Sequence, residues 1–354
     1  MGWVRGRLRD AFFDLLRKTA RTDDARRILA EMLKGVLARP AAVLDSPEPR
    51  PIYPELGRAR PTGESSSRTD IVFITARFRS GSTLLWNLFR HLPGCTAYYE
   101  PLNERRWFDP LTRGTHVDPS HRGASDYWRE YEGLEELGAY YREDWTNRDL
   151  LMGPDFWDPA LKRYIEILVA ASRGRPVLQF NRVDFRLPWL RRNFPNARIV
   201  HLYRHPRDEY CSTLLGNLKE VARCRDAPGP AAFGGFYLQD WASDLKYHFP
   251  FLDEQAVSHP YQLHYYIWRL SYLFGAKYAH HSIKFEDLVA DPRPHLVNLF
   301  GALGIERYEL GALESLVRRP QPGRWEEFAD DAWFRRYEEI CETTLLDFLP
   351  TAPD

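Results

Sequence analysis

Seven consecutive residues, Arg77-Phe78-Arg79-Ser80-Gly81-Ser82-Thr83, have the types and spacing to hold a small anion. A glycine turn that opens a helix leaves the first helical amides without internal partners, and the helix dipole favours negative charge there. Ser82 and Thr83 add hydroxyl donors, and Arg77 and Arg79 add guanidinium cations. The triphosphate-binding version of such a loop reads GxxxxGK[ST]. Aligned on that pattern, Ala76 replaces the first glycine and Ser82 replaces the lysine. A kinase or ATPase needs that lysine on its β- and γ-phosphates and a Mg²⁺ nearby. The loop therefore keeps the cradle and loses the triphosphate chemistry.

The elements that must position this loop are legible on either side of it. Ile71–Ala76 is a continuous β-prone run, as expected of a buried parallel strand. Leu84, Leu85, Leu88, Phe89 and Leu92 mark one face of a helix that ends near Pro93-Gly94. Further strands are expected at 96–99, 176–181, 198–203 and 282–285, and helices at 161–172, 187–194, 209–223, 261–278 and 294–303. This alternation predicts an α/β, P-loop-containing nucleotide-binding fold, with a central parallel sheet flanked by helices on both faces. Residues 70–349 read as a single domain, with an aromatic, acidic lid or substrate-facing insertion at about 103–160. Residues 1–39 read as amphipathic helices, packed on the main domain or a second subunit, or lying on a membrane surface. Residues 40–69, rich in Pro, Ser, Gly and Arg, read as a linker or extended arm.

Composition narrows the partners. Lys+Arg and Asp+Glu both number 49 in 354 residues, which excludes a polycationic nucleic-acid coat. Only seven of the basic residues are lysine. An arginine bias follows from a GC-rich genome, but arginine is also the better planar fork for phosphate and sulfate. Four cysteines without CxxC spacing make no disulfide framework, which points to a reducing compartment and a cytoplasmic location. No run of 18 apolar residues exists, and the charge-broken N-terminus lacks a signal-peptide core. No His/Cys/Asp cluster has metal spacing.

Four motifs, in order, carry a resemblance. FITARFRSGSTLLWNLF resembles the 5′-phosphosulfate loop of sulfotransferases that use 3′-phosphoadenosine 5′-phosphosulfate (PAPS), in the form of the carbohydrate and tyrosyl-protein branches. Ile199–Asp208 followed by Ser212 resembles the family's 3′-phosphate motif, in which a strand ends in Arg and a Ser eight residues later opens a helix. Ile283–Pro292 is similar to the "YEDL…DP" strand end, and Arg318–Trp325 (RRPQPGRW) to the late basic loop over the cofactor. The four span roughly 71–325.

The resemblance implies a soluble transferase that moves a sulfuryl group from PAPS to an acceptor hydroxyl and releases 3′-phosphoadenosine 5′-phosphate (PAP). Amides of Ser80, Gly81, Ser82, Thr83 and Leu84 would hold the 5′-phosphate, with Arg77 assisting or solvated. Arg204 and Ser212 would fix the 3′-phosphate, helped by Arg318, Arg319 or Arg324. Arg79 occupies the cationic position for the bridging oxygen, where charge builds as the nucleotide leaves. Glu100, in Tyr98-Tyr99-Glu100-Pro101, would be the general base or else a structural carboxylate. Asn181 and Arg182 would position the acceptor or a sulfate oxygen, and His264 on the aromatic helix would line an acceptor pocket or the core. The cytosolic branch places a Trp after its loop threonines to stack on adenine; Leu84 stands there, which shifts stacking to Trp325 or Trp86.

A small-molecule or glycan acceptor is expected, with a sugar or other alcohol favoured, and homo-oligomers are compatible with the chain. The competing readings are a P-loop kinase or NTPase, disfavoured by the missing lysine, and a non-catalytic nucleotide-binding module.

Overall fold

The computed structural model describes residues 68–118, 121, 123–212, 224–226, 229, 235–318 and 323–349. The expected amphipathic segment 1–39, nearly all of the 40–69 arm, Arg319 and the side chain of Arg324 lie outside the described residues.

Five parallel strands form one sheet: β1 (Val72–Ala76), β2 (Cys95–Tyr99), β3 (Arg175–Phe180), β4 (Arg198–Tyr203) and β5 (His281–Lys284), in the spatial order β2-β3-β1-β4-β5. β1 is central, with Val72 opposite Val177 on one side and Arg198 on the other. Successive strand residues face opposite sides of a sheet, and all five β1 residues are buried. Both faces are therefore covered, as the apolar run Val-Phe-Ile-Thr-Ala requires.

The first helix, α1 (Ser82–Arg90), starts directly from the turn after β1. Its apolar face buries Leu85, Trp86, Leu88 and Phe89. Trp86 is wholly enclosed, and its indole N–H donates to the Ala97 carbonyl of β2 at 2.8 Å. It belongs to the core and offers no surface for adenine. Four later helices each begin on a proline, whose missing N–H costs nothing at a helix start: α2 (Pro159–Ala171), α4 (Pro206–Ser212), α6 (Pro260–Tyr278) and α8 (Pro292–Ala302), with α3 (Leu187–Asn193), α5 (Leu238–Leu245) and α7 (Phe285–Ala290) between them. α4 corrects one expectation. The helix opens at Pro206, so Ser212 closes its described part instead of opening it.

Two further helices, α9 (Leu310–Leu316) and α10 (Asp331–Phe348), were not expected from the sequence, and neither were α5 and α7. α10 carries seven charged residues among its 18 and buries only Phe334, Tyr337, Cys341 and Leu345. It docks on α6 through polar bonds: Glu338 accepts from the Tyr261 hydroxyl at 2.6 Å and Glu342 from the Tyr265 hydroxyl at 2.8 Å. The described part of 103–160 is irregular, apart from three short 3₁₀ turns and the first residues of α2. Its aromatics Trp107, Phe108, Tyr127, Tyr131 and Trp145 are buried, and Tyr127 stacks on Tyr99 of β2 at 4.4 Å. None of the four cysteines forms a disulfide.

Candidate active site

The polar residues of interest lie just beyond the C-terminal ends of adjacent strands, where open α/β sheets bind ligands. Glu100 follows β2, Asn181 and Arg182 follow β3, the 77–83 loop follows β1 and Arg204 follows β4. The strand order therefore sets them in a row, with the carboxylate at one end and the 3′-phosphate motif at the other.

The loop is shaped by Gly81, whose φ of 94° is left-handed. A Cβ at this position would lie 2.3 Å from the Phe285 ring, so the residue must be glycine on both counts. The Ser80 hydroxyl donates to the Arg77 carbonyl at 2.6 Å and its amide donates to the same oxygen at 3.3 Å, closing the turn. The Leu84 amide donates to the Gly81 carbonyl at 3.0 Å. The expected cradle of five amides thus narrows to three. Among the described residues, the amides of Gly81, Ser82 and Thr83 have no acceptor.

Side chains around the loop divide into three groups. In the first, the Arg79 Nε donates to the Ser212 hydroxyl at 3.1 Å, and one Arg79 Nη lies 3.7 Å from Asp118. Arg204 donates to the Arg79 carbonyl at 3.0 Å and lies 5.0 Å over the Phe285 ring. Burial pushes the Arg204 pKa down, and its Nε is enclosed without a partner. An anion arriving there meets a desolvated cation with an unused donor. The FEDL segment enters the site through Phe285, which separates Gly81 from Arg204.

The second group surrounds Glu100, which is 7% exposed. Its carboxylate accepts from Asn181 at 2.7 Å, Asn103 at 2.6 Å and Arg182 at 3.2 Å. Arg182 also donates to the Asn181 side-chain oxygen at 2.7 Å and to Glu104 at 2.7 Å, and rests on the rings of Phe78 and Tyr237. Burial opposes its charge, but Glu100 and Glu104 outweigh that and raise its pKa. Three donors therefore hold the carboxylate, and the Tyr99 hydroxyl interacts with it as well.

The third group was not legible in the sequence. Thr83, expected to face phosphate, has its hydroxyl 3.0 Å from the Tyr99 hydroxyl and 3.3 Å from Nε2 of His121. His121 bonds to the Tyr127 hydroxyl through Nδ1, and burial lowers its pKa. It lies in an irregular segment where no periodicity marks it.

Several expected contacts turn out otherwise. Arg77 points inward, 3.7 Å from Glu209 and 4.7 Å from the Trp241 ring centre, because the space beneath the loop holds that carboxyl and that indole. His264 is interior as well: its Nε2 lies 3.2 Å from the Pro206 carbonyl, and burial lowers its pKa to about 3. Trp325 is half-buried, with Arg207 4.8 Å over its ring and Phe334 edge-on. Arg318 is exposed.

A profile described as the sulfotransferase family matches residues 71–309, more than half of the chain. The chain belongs to the sulfotransferase family. No curated protein matches it significantly. Solved structures to which this sulfotransferase is similar include three at low identity. One is the sulfotransferase domain of the Synechococcus PCC 7002 olefin synthase (19% identity, 80% of this chain and 95% of that one, TM-score 0.33). Another is a sulfotransferase from Mycobacterium tuberculosis H37Rv (15%, 78% and 76%, 0.38). A third is a retinol dehydratase in complex with androsterone and the inactive cofactor PAP (15%, 90% and 87%, 0.35).

The enzyme is accordingly a transferase of sulfuryl groups from PAPS to a hydroxyl. Its residues fit that polyanion: three free amides on a left-handed glycine turn, and a half-buried arginine with an unpartnered Nε one strand away. Among the described residues no helix is long and apolar enough to cross a membrane, and no group of three His, Cys, Asp or Glu side chains is placed to hold a metal ion.

Proposed function

We propose that this sulfotransferase acts on a sugar or other small-molecule alcohol, with Glu100 as general base and Arg79 as the cation at the leaving group. Bound PAPS supplies the sulfuryl group. The amides of Gly81, Ser82 and Thr83 bind the 5′-phosphate end, and Arg204 with Ser212 binds the 3′-phosphate. Glu100 takes the acceptor's proton, while Asn103, Asn181 and Arg182 hold the carboxylate still. Arg79 offsets the negative charge that builds on the bridging oxygen.

One observation carries this assignment of roles. Arg79 and Glu100, the two residues given chemistry, are two of six non-glycine residues with positive φ among the described residues (φ 65° and 39°); Phe236 and Tyr237 pack on Phe78 of the same loop, and Arg106 and Asp149 lie in the irregular 103–160 segment. Such conformations cost a non-glycine residue about 1–3 kcal/mol and concentrate at functional sites. The sugar or alcohol acceptor is favoured by the RSGST form of the loop and by the Glu100-Pro101 pair. The test is a panel of sugars, aliphatic alcohols and phenols incubated with sulfur-labelled PAPS. Labelled product from sugars or alcohols is expected. Label on phenols alone would overturn the acceptor class.

A further inference from the structure

Beneath the loop lies a pair that the reaction as described does not use. Arg77, two residues before Arg79, and Glu209, three residues before Ser212, are 7% and 1% exposed. Their nearest N and O atoms are 3.7 Å apart, too far for a hydrogen bond. Nε and Nη1 of Arg77 and both oxygens of Glu209 are enclosed without hydrogen-bond partners. A cavity of about 20 Å³ adjoins them, bounded also by Phe78, Tyr210 and His264. That is room for one water. The pair lies between the loop read as holding one end of PAPS and the helix read as holding the other.

An ionised pair left without hydrogen bonds is an expensive arrangement in a buried site. A polyanion bound above it changes the balance, because like charge disfavours the ionised carboxyl. Charged and titratable groups face Glu209 from every neighbouring element: Arg77 from the loop, Arg204 from β4, Asp184 from the turn after β3, Glu286 from α7 and His264 from α6. Burial pushes the Glu209 carboxyl up to about 8, with Arg77 and Arg204 opposing.

We infer that Arg77 and Glu209 are positioning residues that form a charge-compensating pair: when the nucleotide binds, any Glu209 still ionised takes a proton from solvent and the Arg77 charge turns to serve the anion above it. The inference rests on the reading of this loop as the PAPS site. The step is a plain protonation, in which an O–H bond forms on the carboxylate at the expense of a buffer acid.

The test is calorimetric titration of the full chain with PAP in two pH 8 buffers of different ionisation enthalpy, which counts protons. A group titrating near 8 is half-protonated there, so uptake of about half a proton per PAP is expected. At pH 8 the 3′-phosphate is already a dianion. His121, His205 and His264 all have lowered pKa values and are neutral. Above pH 8 the wild-type affinity should fall, by at most about tenfold per pH unit for one linked proton. Glu209→Gln keeps the shape and should show no uptake and a flat profile, while Glu209→Asp should restore part of both. PAP binding without uptake at pH 8 and 9, or equal uptake in Glu209→Gln, overturns the inference. The wild-type count decides the matter even if the variants fail to fold. Failure of PAP to bind at all would instead overturn the PAPS-site reading.

Discussion

Replacing Gly81 by Ala probes the loop geometry and its link to Arg204 together. Two costs follow from the structure. The φ of 94° is left-handed, which costs an alanine about 1–2 kcal/mol. The new methyl would sit 2.3 Å from two carbons of the Phe285 ring, and overpacking of this kind costs about 1–3 kcal/mol. The ring is only 7% exposed and carries the Arg204 guanidinium on it, so it cannot move without disturbing the anion site. The sum is about 2–5 kcal/mol. Removing the ring by Phe285→Ala costs about 3–5 kcal/mol on its own. In the double variant the clash is gone and only the backbone strain remains. Thermal unfolding of the four proteins should give a favourable coupling of about 1–3 kcal/mol, well beyond the 0.3–0.5 kcal/mol of independent sites. Calorimetry with PAP should show Gly81→Ala binding more weakly. Additive stabilities, or unchanged PAP affinity in Gly81→Ala, would refute the account of the loop.

Three further predictions follow from neighbouring groups. Glu100→Gln should lower turnover by about 100- to 10,000-fold while PAP still binds; normal turnover in a labelled-PAPS assay removes Glu100 as base. Arg182→Met takes the cation from a buried cluster and leaves Glu100 unpaired, so thermal unfolding should show a loss of about 3–5 kcal/mol; an unchanged melting temperature would mean that the cluster does not hold the carboxylate. Glu209 is protonated in the folded chain, up to about 8, but ionised above about 4.5 when unfolded, so the folded state binds the extra proton between those limits. Stability should therefore fall as pH rises through that window, and Glu209→Gln should flatten the slope in denaturant titrations. An unchanged slope would contradict the buried-acid description.

The parts of this fold that were legible share one property: their signal is local. Ile71–Ala76 had to be a buried strand because it is apolar on both faces, and RSGST had to be a turn into a helix because glycine interrupts the run before the Leu85–Leu88–Phe89 stripe. α10 escaped because its anchoring is polar, through Glu338 and Glu342, and only four of its apolar residues are buried. The site was legible where a residue sits at a strand end, as with Glu100, Asn181, Arg182 and Arg204. It was not legible where side-chain direction decides. Arg77 and Arg79 flank one loop residue, yet one turns to Glu209 inside and the other to Ser212. Nothing in their types distinguishes them. His121 reaches Thr83 only through the path of an irregular segment, which the sequence does not specify.

The central claim is that the loop and the Arg204–Ser212 pair together select a nucleotide with a 3′-phosphate and no triphosphate. Thermal unfolding with PAP or ATP at equal concentration tests it most directly. PAP at 100 times its dissociation constant should stabilise the protein by about 2.7 kcal/mol, and ATP should leave the transition where it was. A transition raised by ATP and not by PAP would contradict the account.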